Sequence, residues 1–134
     1  MSENLDLVRS IYADWERGDF SSATWAGPDI EYLLPDAPEG GGTWSGRKGM
    51  AQAHRSFLSA WGGWQVAADD YVAVDAERVL VPFRFSARGK RGGLEVGQAW
   101  GEGASVFTLR RGKVVKLANY FHREHALSDL RPAQ

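Results

Sequence analysis

Lys113-Val-Val-Lys-Leu-Ala-Asn-Tyr-Phe-His122 decides how this chain is read. Its apolar, aromatic run reads as a β-strand. Arg110-Arg111-Gly112 reads as a tight turn joining it to an earlier strand that ends Val106-Phe-Thr-Leu109. A short helical tail, Arg123 to Leu130, is expected after it. One residue interrupts the apolar run: Asn119. On a regular strand this amide shares a face with Leu117 and Val115. It is then either a hydrogen-bonding group on a pocket wall or a buried amide satisfied by backbone or water.

Working back toward the N-terminus, the strands continue. Residues 94–109 form one long segment, with Gly97, Gly101 and Gly103 placed to let it bend or bulge. Gly89 to Gly93 is a turn. Residues 78–88 alternate, with Val79, Val81, Phe83, Phe85 and Ala87 on one face, and Pro82 suggests an edge position or a bulge. Residues 64–74 form a strand broken at Asp69-Asp70. Ahead of these lie helices. Residues 3–17 place Leu5, Val8, Tyr12 and Trp15 on one face, widened by Leu7 and Ile11. Residues 19–25 read as a short second helix capped by Asp19 and stopped by Gly27-Pro28. Ile30 to Leu34 is a brief strand. Residues 47–61 form the longest helix, with Met50, Ala53, Phe57 and Trp61 on its apolar face beside His54, and Gly62-Gly63 ending it.

Helices set apart from a run of antiparallel strands make an α+β fold: a curved sheet wrapped around N-terminal helices, with a hydrophobic space between them. The 134 residues suit a single domain. A net charge of −1 with scattered Arg and Lys argues against nucleic acid or an anionic membrane surface as partner. No stretch is long and apolar enough for a membrane span. There is no cysteine, so disulfides, thiol nucleophiles and thiolate-bound metals are excluded. The start of the chain lacks a secretory signal pattern, and a cytoplasmic location is expected. Aromatics stand out, with six Trp, six Phe and four Tyr. They either fill a core or line a cavity.

Four strings carry a family likeness: the opening helix followed by Gly18-Asp19; Pro28-Asp-Ile-Glu-Tyr32; Trp44-Ser-Gly-Arg-Lys-Gly-Met50; and Val106 to Val115 running into Asn119-Tyr-Phe-His-Arg-Glu-His-Ala-Leu127. In this order the chain resembles the SnoaL-like members of the nuclear-transport-factor-two-like superfamily, whose relatives include ketosteroid isomerases, limonene epoxide hydrolases, scytalone dehydratases and polyketide cyclases. The resemblance implies a cone-shaped α+β fold around a pocket, and a homodimer formed through the sheet face. It does not transfer a mechanism. Where epoxide-hydrolase relatives close with Asp-Tyr-Phe-Asp, this chain has Asn119-Tyr120-Phe121-His122, and an amide has no proton to trade near neutral pH. Where those hydrolases carry an Arg and an Asp two apart on an inner strand, the matching positions are Phe83 and Phe85. Epoxide hydrolysis is therefore disfavoured.

The expected function is binding of a small hydrophobic metabolite, cyclic ones included. The alternative is a cofactor-independent isomerase, cyclase or dehydratase acting on a polyketide- or steroid-like ketone. The expected wall is Tyr12, Trp15, Trp25, Tyr32, His54, Phe57, Trp61, Phe83, Phe85, Trp100, Phe107 and Asn119. For catalysis the candidate bases are His54, Glu31 and Asp36, with Tyr12 or Asn119 steadying an enolate oxygen. His54 is otherwise a core histidine, and the two acids are otherwise exposed charges. His122 and His125 lie three apart but lack a third ligand. Neither a metal nor a cofactor is expected.

Overall fold

The computed structural model describes residues 2–20, 23–36, 42–91 and 94–130; the side chains of residues 2, 57–63, 88–91 and 94–100 lie outside the described set. The described elements are helices α1 (Ser2–Glu16), α2 (Gly46–Ala60) and α3 (Arg123–Asp129), and strands β1 (Ala26–Leu34), β2 (Gly42–Ser45), β3 (Trp61–Ala68), β4 (Val72–Ala73), β5 (Arg78–Arg91), β6 (Leu94–Arg110) and β7 (Lys113–Tyr120). They form one open, curved sheet in the order β2-β1-β7-β6-β5-β3, with β4 also on β5. The sheet is mixed. β1 runs parallel to β7, and the other pairs are antiparallel.

The hairpin between β6 and β7 turns through Arg111 and Gly112, both at positive φ (53° and 75°). Two left-handed residues in a two-residue loop give the turn whose twist matches the strands it joins. Strand alternation then sorts side chains between faces. Val79, Val81 and Phe83 of β5, Phe107 and Leu109 of β6, Leu117 of β7, and Ile30, Tyr32 and Leu34 of β1 point into the main core. α1 closes that core with Val8, Ile11, Tyr12 and Trp15, and α2 adds Met50 and Ala53. A fully buried Val, Leu, Ile, Phe or Met among them contributes about 1.5–3 kcal/mol. α3 packs on the opposite face, where Ala126 meets Leu80, Ala104, Ala118 and Tyr120.

Several local expectations change. The described residues between Asp19 and Trp25 are not helical; Thr24 and Trp25 turn the chain directly into β1. The turn is anchored because the Trp25 carbonyl accepts from the Val114 amide. β1 is longer than expected. It carries Pro28 within a register break against β7 between Ala26 and Glu31, where no ladder bond is required of a proline. β7 bulges at Val115, so Val114 takes the inward place that regular alternation would give to Val115. α2 runs straight into β3, making Trp61 the first residue of a strand. Pro82 is neither on an edge nor in a bulge. It lies inside β5 opposite Ala104, and the neighbouring ladder stops at Ala68 and resumes at Val72. The missing N–H of Pro82 faces that gap, where its carbonyl accepts from Asp69.

The glycines of β6 do more than permit bending. Gly103 pairs with Phe83 and Gly101 with Phe85. A Cβ on Gly103 would sit 2.6 Å from the Phe83 ring and 2.3 Å from the Tyr120 carbonyl oxygen; one on Gly101 would sit 3.0 Å from the Phe85 ring. The missing side chains are the space that the two rings occupy on the concave face.

Candidate functional site

Between α1, α2 and the concave face lies a partly open cavity of about 50 Å³, the space available to water centres. It is lined by side chains from both helices, from β1, β3, β5 and β7, and from Phe121 beyond the end of β7. Trp15, Phe20, Tyr32, Trp64, Phe83 and Phe121 supply most of the wall, with Leu34 and Val66 between them. No Asp, Glu, Lys or Arg is among the described lining residues.

A chain of neutral polar groups runs into this wall. Tyr12 and Ser105 hydroxyls are 2.6 Å apart, the Ser105 hydroxyl is 2.5 Å from Asn119 Oδ1, and Asn119 Nδ2 is 3.1 Å from the Tyr32 hydroxyl. The amide, placed with Oδ1 toward Ser105 and Nδ2 toward Tyr32, sets the direction. Ser105 therefore donates to Asn119, whose amide donates to Tyr32. With its one hydrogen used, Ser105 accepts from Tyr12. The opposite direction would strand the Tyr12 hydrogen among Trp15, Phe83 and Phe107, at a cost of about 1–3 kcal/mol. At the far end, Tyr32 still has its own hydrogen, and no acceptor among the described residues receives it.

Burial keeps the site uncharged. It pushes the Tyr12 phenol far above its ordinary range, and the Tyr32 phenol up to about 12. Burial also pulls His54 down to about 4, so its imidazole is neutral at pH 7. His54 stands edge-on to Tyr32, with ring centroids 4.9 Å apart, and touches Trp15 and Phe20. Neither of its ring nitrogens has a hydrogen-bond partner among the described residues.

A concave sheet, two helices across it and an aromatic cavity between them set the comparison with known proteins. The SnoaL-like domain model matches residues 8–117. The chain belongs to the SnoaL-like family. Comparison with curated protein sequences gives no match. Among solved structures, an NTF2-like protein of unknown function from Burkholderia pseudomallei is 22% identical, with TM-score 0.77 over 98% of this chain and 100% of that one. TerC, co-crystallised with polyporic acid, is 21% identical, with TM-score 0.72 over 96% and 97%. A protein of ketosteroid isomerase-like fold from Catenulispora acidiphila, in complex with trimethylamine, is 13% identical, with TM-score 0.71 over 87% and 85%. These likenesses establish the fold alone.

In this SnoaL-like domain, six residues expected on the wall are brought together there: Tyr12, Trp15, Tyr32, His54, Phe83 and Asn119. Trp25 and Phe107 are not on it. Both are core residues packed against Trp15, because their positions face inward behind the first layer of rings. Phe85 stacks on Trp64 and meets Phe121 edge-on, supporting two wall residues from behind. The side chains of Phe57, Trp61 and Trp100 lie outside the described residues.

The two carboxylates go elsewhere. Glu31 is exposed on the outward side of β1, opposite Lys116 of β7. Asp36 is a structural ligand: its carboxylate accepts from the amides of Phe121 (2.6 Å) and His122 (3.1 Å) and meets His125 Nδ1 at 2.7 Å. It ties the chain after β1 to the start of α3. His122 and His125 are exposed rim residues with rings 5.2 Å apart, and no cluster of three metal-ligating side chains occurs among the described residues. No helix among the described residues is long and apolar enough to cross a membrane.

Reading the sequence alone missed Ser105 and six lining residues: Phe20, Leu34, Trp64, Val66, Tyr120 and Phe121. Ser105 had a signal. It alternates with Phe107 and Leu109 on the strand whose next neighbour carries Asn119, and a small hydroxyl in an inward row needs a partner. Trp64 and Val66 alternate as well, and their period-2 pattern points to the same face.

Proposed function

We propose that this SnoaL-like protein binds a small, uncharged, largely apolar molecule in the aromatic cavity. The observation that carries this reading is the composition of the wall: aromatic rings and a neutral hydrogen-bonded network, without a charged side chain among the described residues. A buried carboxylate or ammonium brought there would lose its water and meet no counter-charge. The volume bounds the ligand. A dry cavity of roughly 150 Å³ takes benzene. The smaller space here suits a ligand of a few heavy atoms, or one ring seated at the open side with side-chain movement. Trp15 and Trp64 on the wall supply the readout. Cyclopentanone, phenol and toluene are expected to change tryptophan fluorescence saturably and raise Tm, and acetate and benzoate to do neither. Saturable binding of the anions in preference to the neutral probes would remove this reading.

An enzymatic reading rests on one observation. His54 is neutral and has no described protein partner at a wall shared with the Tyr32 hydroxyl. Of the three candidate bases only His54 reaches the cavity, so isomerase, cyclase or dehydratase chemistry on a ketone would pass its proton through this imidazole. A pKa near 4 makes it a weak base. Exchange of ketone α-protons into D₂O, abolished in His54→Gln, would support catalysis; equal exchange with and without the imidazole would leave binding alone.

A homodimer through the outer sheet face would form around α3. In the row Leu33, Ala118, Val106, Leu80 and Val72 of that face, Leu80 and Ala118 are already buried in a cluster with Ala126 of α3, and only Val72 is exposed. Sedimentation equilibrium decides it. A cytoplasmic setting is compatible with the cysteine-free sequence.

A further inference from the structure

We infer that Ser105 sets what kind of ligand the cavity accepts: it holds the hydrogen-bond chain in the direction that leaves Tyr32 as a donor, so the site selects molecules carrying an acceptor oxygen, such as a carbonyl. This rests on the binding reading above and names the ligand chemistry of that same site.

Asn119 alone does not determine what the wall presents. Its amide has a donor end and an acceptor end, and rotating it by half a turn exchanges them. In the orientation found, Nδ2 faces Tyr32, and no acceptor among the described residues takes the phenolic hydrogen of Tyr32. In the other, Oδ1 would take that hydrogen, and the wall would offer a phenolic oxygen as acceptor instead. Ser105 decides between them. It is fully buried, donates to Oδ1 and is itself held by the Tyr12 hydroxyl, which has no other acceptor among the described residues. The direction of the chain is therefore fixed at its buried end and read out at its cavity end, 87 positions apart in sequence between Asn119 and Tyr32. A free O–H hydrogen is the positive end of a dipole. It favours a carbonyl or ether oxygen and opposes a cation, even though the surrounding rings by themselves would welcome one. Ser105 acts through Asn119 and Tyr32, so it is a positioning residue.

The test uses cyclopentanone as an acceptor-only probe and tetramethylammonium as a cationic counter-probe, with full-length wild type, Tyr32→Phe, Ser105→Ala and Ser105→Thr. In wild type the infrared carbonyl stretch of bound cyclopentanone is expected to lie at the lowered frequency of a hydrogen-bonded ketone. Tyr32→Phe is expected to abolish the lowering and weaken binding about tenfold. Ser105→Ala frees the amide to turn and is expected to do the same, and Ser105→Thr, which keeps a hydroxyl, to restore the frequency. A carbonyl unshifted in wild type, or still shifted without the Tyr32 hydroxyl, overturns the inference. So does a shift that survives in Ser105→Ala, or a preference for tetramethylammonium.

Ligand-free NMR separates this from the binding reading. Nuclear Overhauser contacts from the Asn119 side-chain amide protons are expected to the Tyr32 ring in wild type, and to be lost or redistributed in Ser105→Ala. If cyclopentanone does not bind but these contacts hold, the ligand reading fails for this ketone and the polarity stands. If the amide protons contact Tyr12 and Ser105 instead, the polarity is wrong whatever binds. Should Ser105→Ala not fold, Ser105→Cys, whose thiol is a weak donor, takes its place and is expected to lose most of the lowering, and a full shift in that variant overturns the inference.

Discussion

Two polar networks meet β6 two residues apart, at the Ser105 hydroxyl and at the Gly103 carbonyl, and are built on opposite principles. On the concave side, Tyr12, Ser105, Asn119 and Tyr32 are neutral and reach the cavity. At the edge of the sheet, Asp69 receives Arg84 at 2.8 Å and Arg123 at 3.0 Å, and Arg123 also donates to the carbonyls of Phe83 and Gly103. Phe83 thus turns its ring to the cavity and its carbonyl to a guanidinium. Charges are used where water can still solvate them, to pin α3 to the sheet. On the inner wall only neutral groups are kept, with Tyr12, Ser105 and Asn119 satisfying one another and the Tyr32 hydrogen left for a ligand. The inner network can impose direction on a ligand because it is uncharged. The rim network cannot, but it holds α3 in place.

The comparison breaks most visibly in acid. His54 is the titratable group of the inner wall that changes charge nearest neutrality. Its unfolded pKa is near 6.5 and its folded value about 4, so between those values the unfolded chain binds more protons. Stability is full above about pH 6.5 and falls as pH drops toward 4, by roughly 3 kcal/mol. Urea denaturation across this range is expected to show that loss, and His54→Gln to flatten it. An equal slope in the variant would mean that the loss belongs to other groups. Next in size is Asn119→Asp, which restores the acid seen in the closing motif of epoxide-hydrolase relatives. A carboxylate next to Ser105 and Tyr32 accepts from both hydroxyls but meets no cation among the described residues, so the net effect of burial is a raised pKa. A raised pKa means the penalty is absent at low pH and appears as pH rises through it. The variant is expected to be about 2–3 kcal/mol less stable than wild type at pH 7 and close to it at pH 4. A pH-independent difference would deny that the inner wall excludes charge.

How much of this was readable beforehand depended on what the sequence pattern encodes. The apolar periods of α1 and β5 placed Val8, Tyr12, Trp15, Val79, Val81 and Phe83 correctly, because one buried face leaves a regular trace. Phe83 stands on the concave face, as the comparison with the epoxide-hydrolase pattern required. Periodicity does not encode depth. Trp25 and Phe107 looked like wall residues and are one layer behind it. Nor does it encode insertions: the bulge at Val115 and the break around Pro28 each shift a strand by residues that propensity cannot count. The acids were hardest. Glu31 and Asp36 both lie near the expected mouth, but the exposure of one and the three hydrogen-bond partners of the other come from tertiary contacts. Ser105 was legible only jointly with Asn119, through a pairing of β6 with β7 in the correct register.

At the rim, Arg123→Ala is expected to cost about 1–2 kcal/mol in urea denaturation, since two strand carbonyls and Asp69 lose a charged donor. Cyclopentanone binding should change less than threefold, and a loss comparable to that of Tyr32→Phe would show that the two networks are coupled.

The smallest expected effect is the most pointed. Glu31 has the right chemistry for a base and a position in sequence one residue from Tyr32. Strand alternation turns that adjacency into opposition: Tyr32 faces the cavity, and Glu31 faces out beside Lys116. An exposed pair of this kind contributes about 0–1 kcal/mol. Glu31→Gln should therefore leave stability within about 0.5 kcal/mol and leave cyclopentanone binding and its carbonyl frequency unchanged. A change in that frequency would mean that β1 is shifted by one residue from its pairing of Glu31 with Lys116 and Tyr32 with Leu117. Tyr32 would then leave the wall and Glu31 would enter it, and the neutrality of the inner network would fall with it.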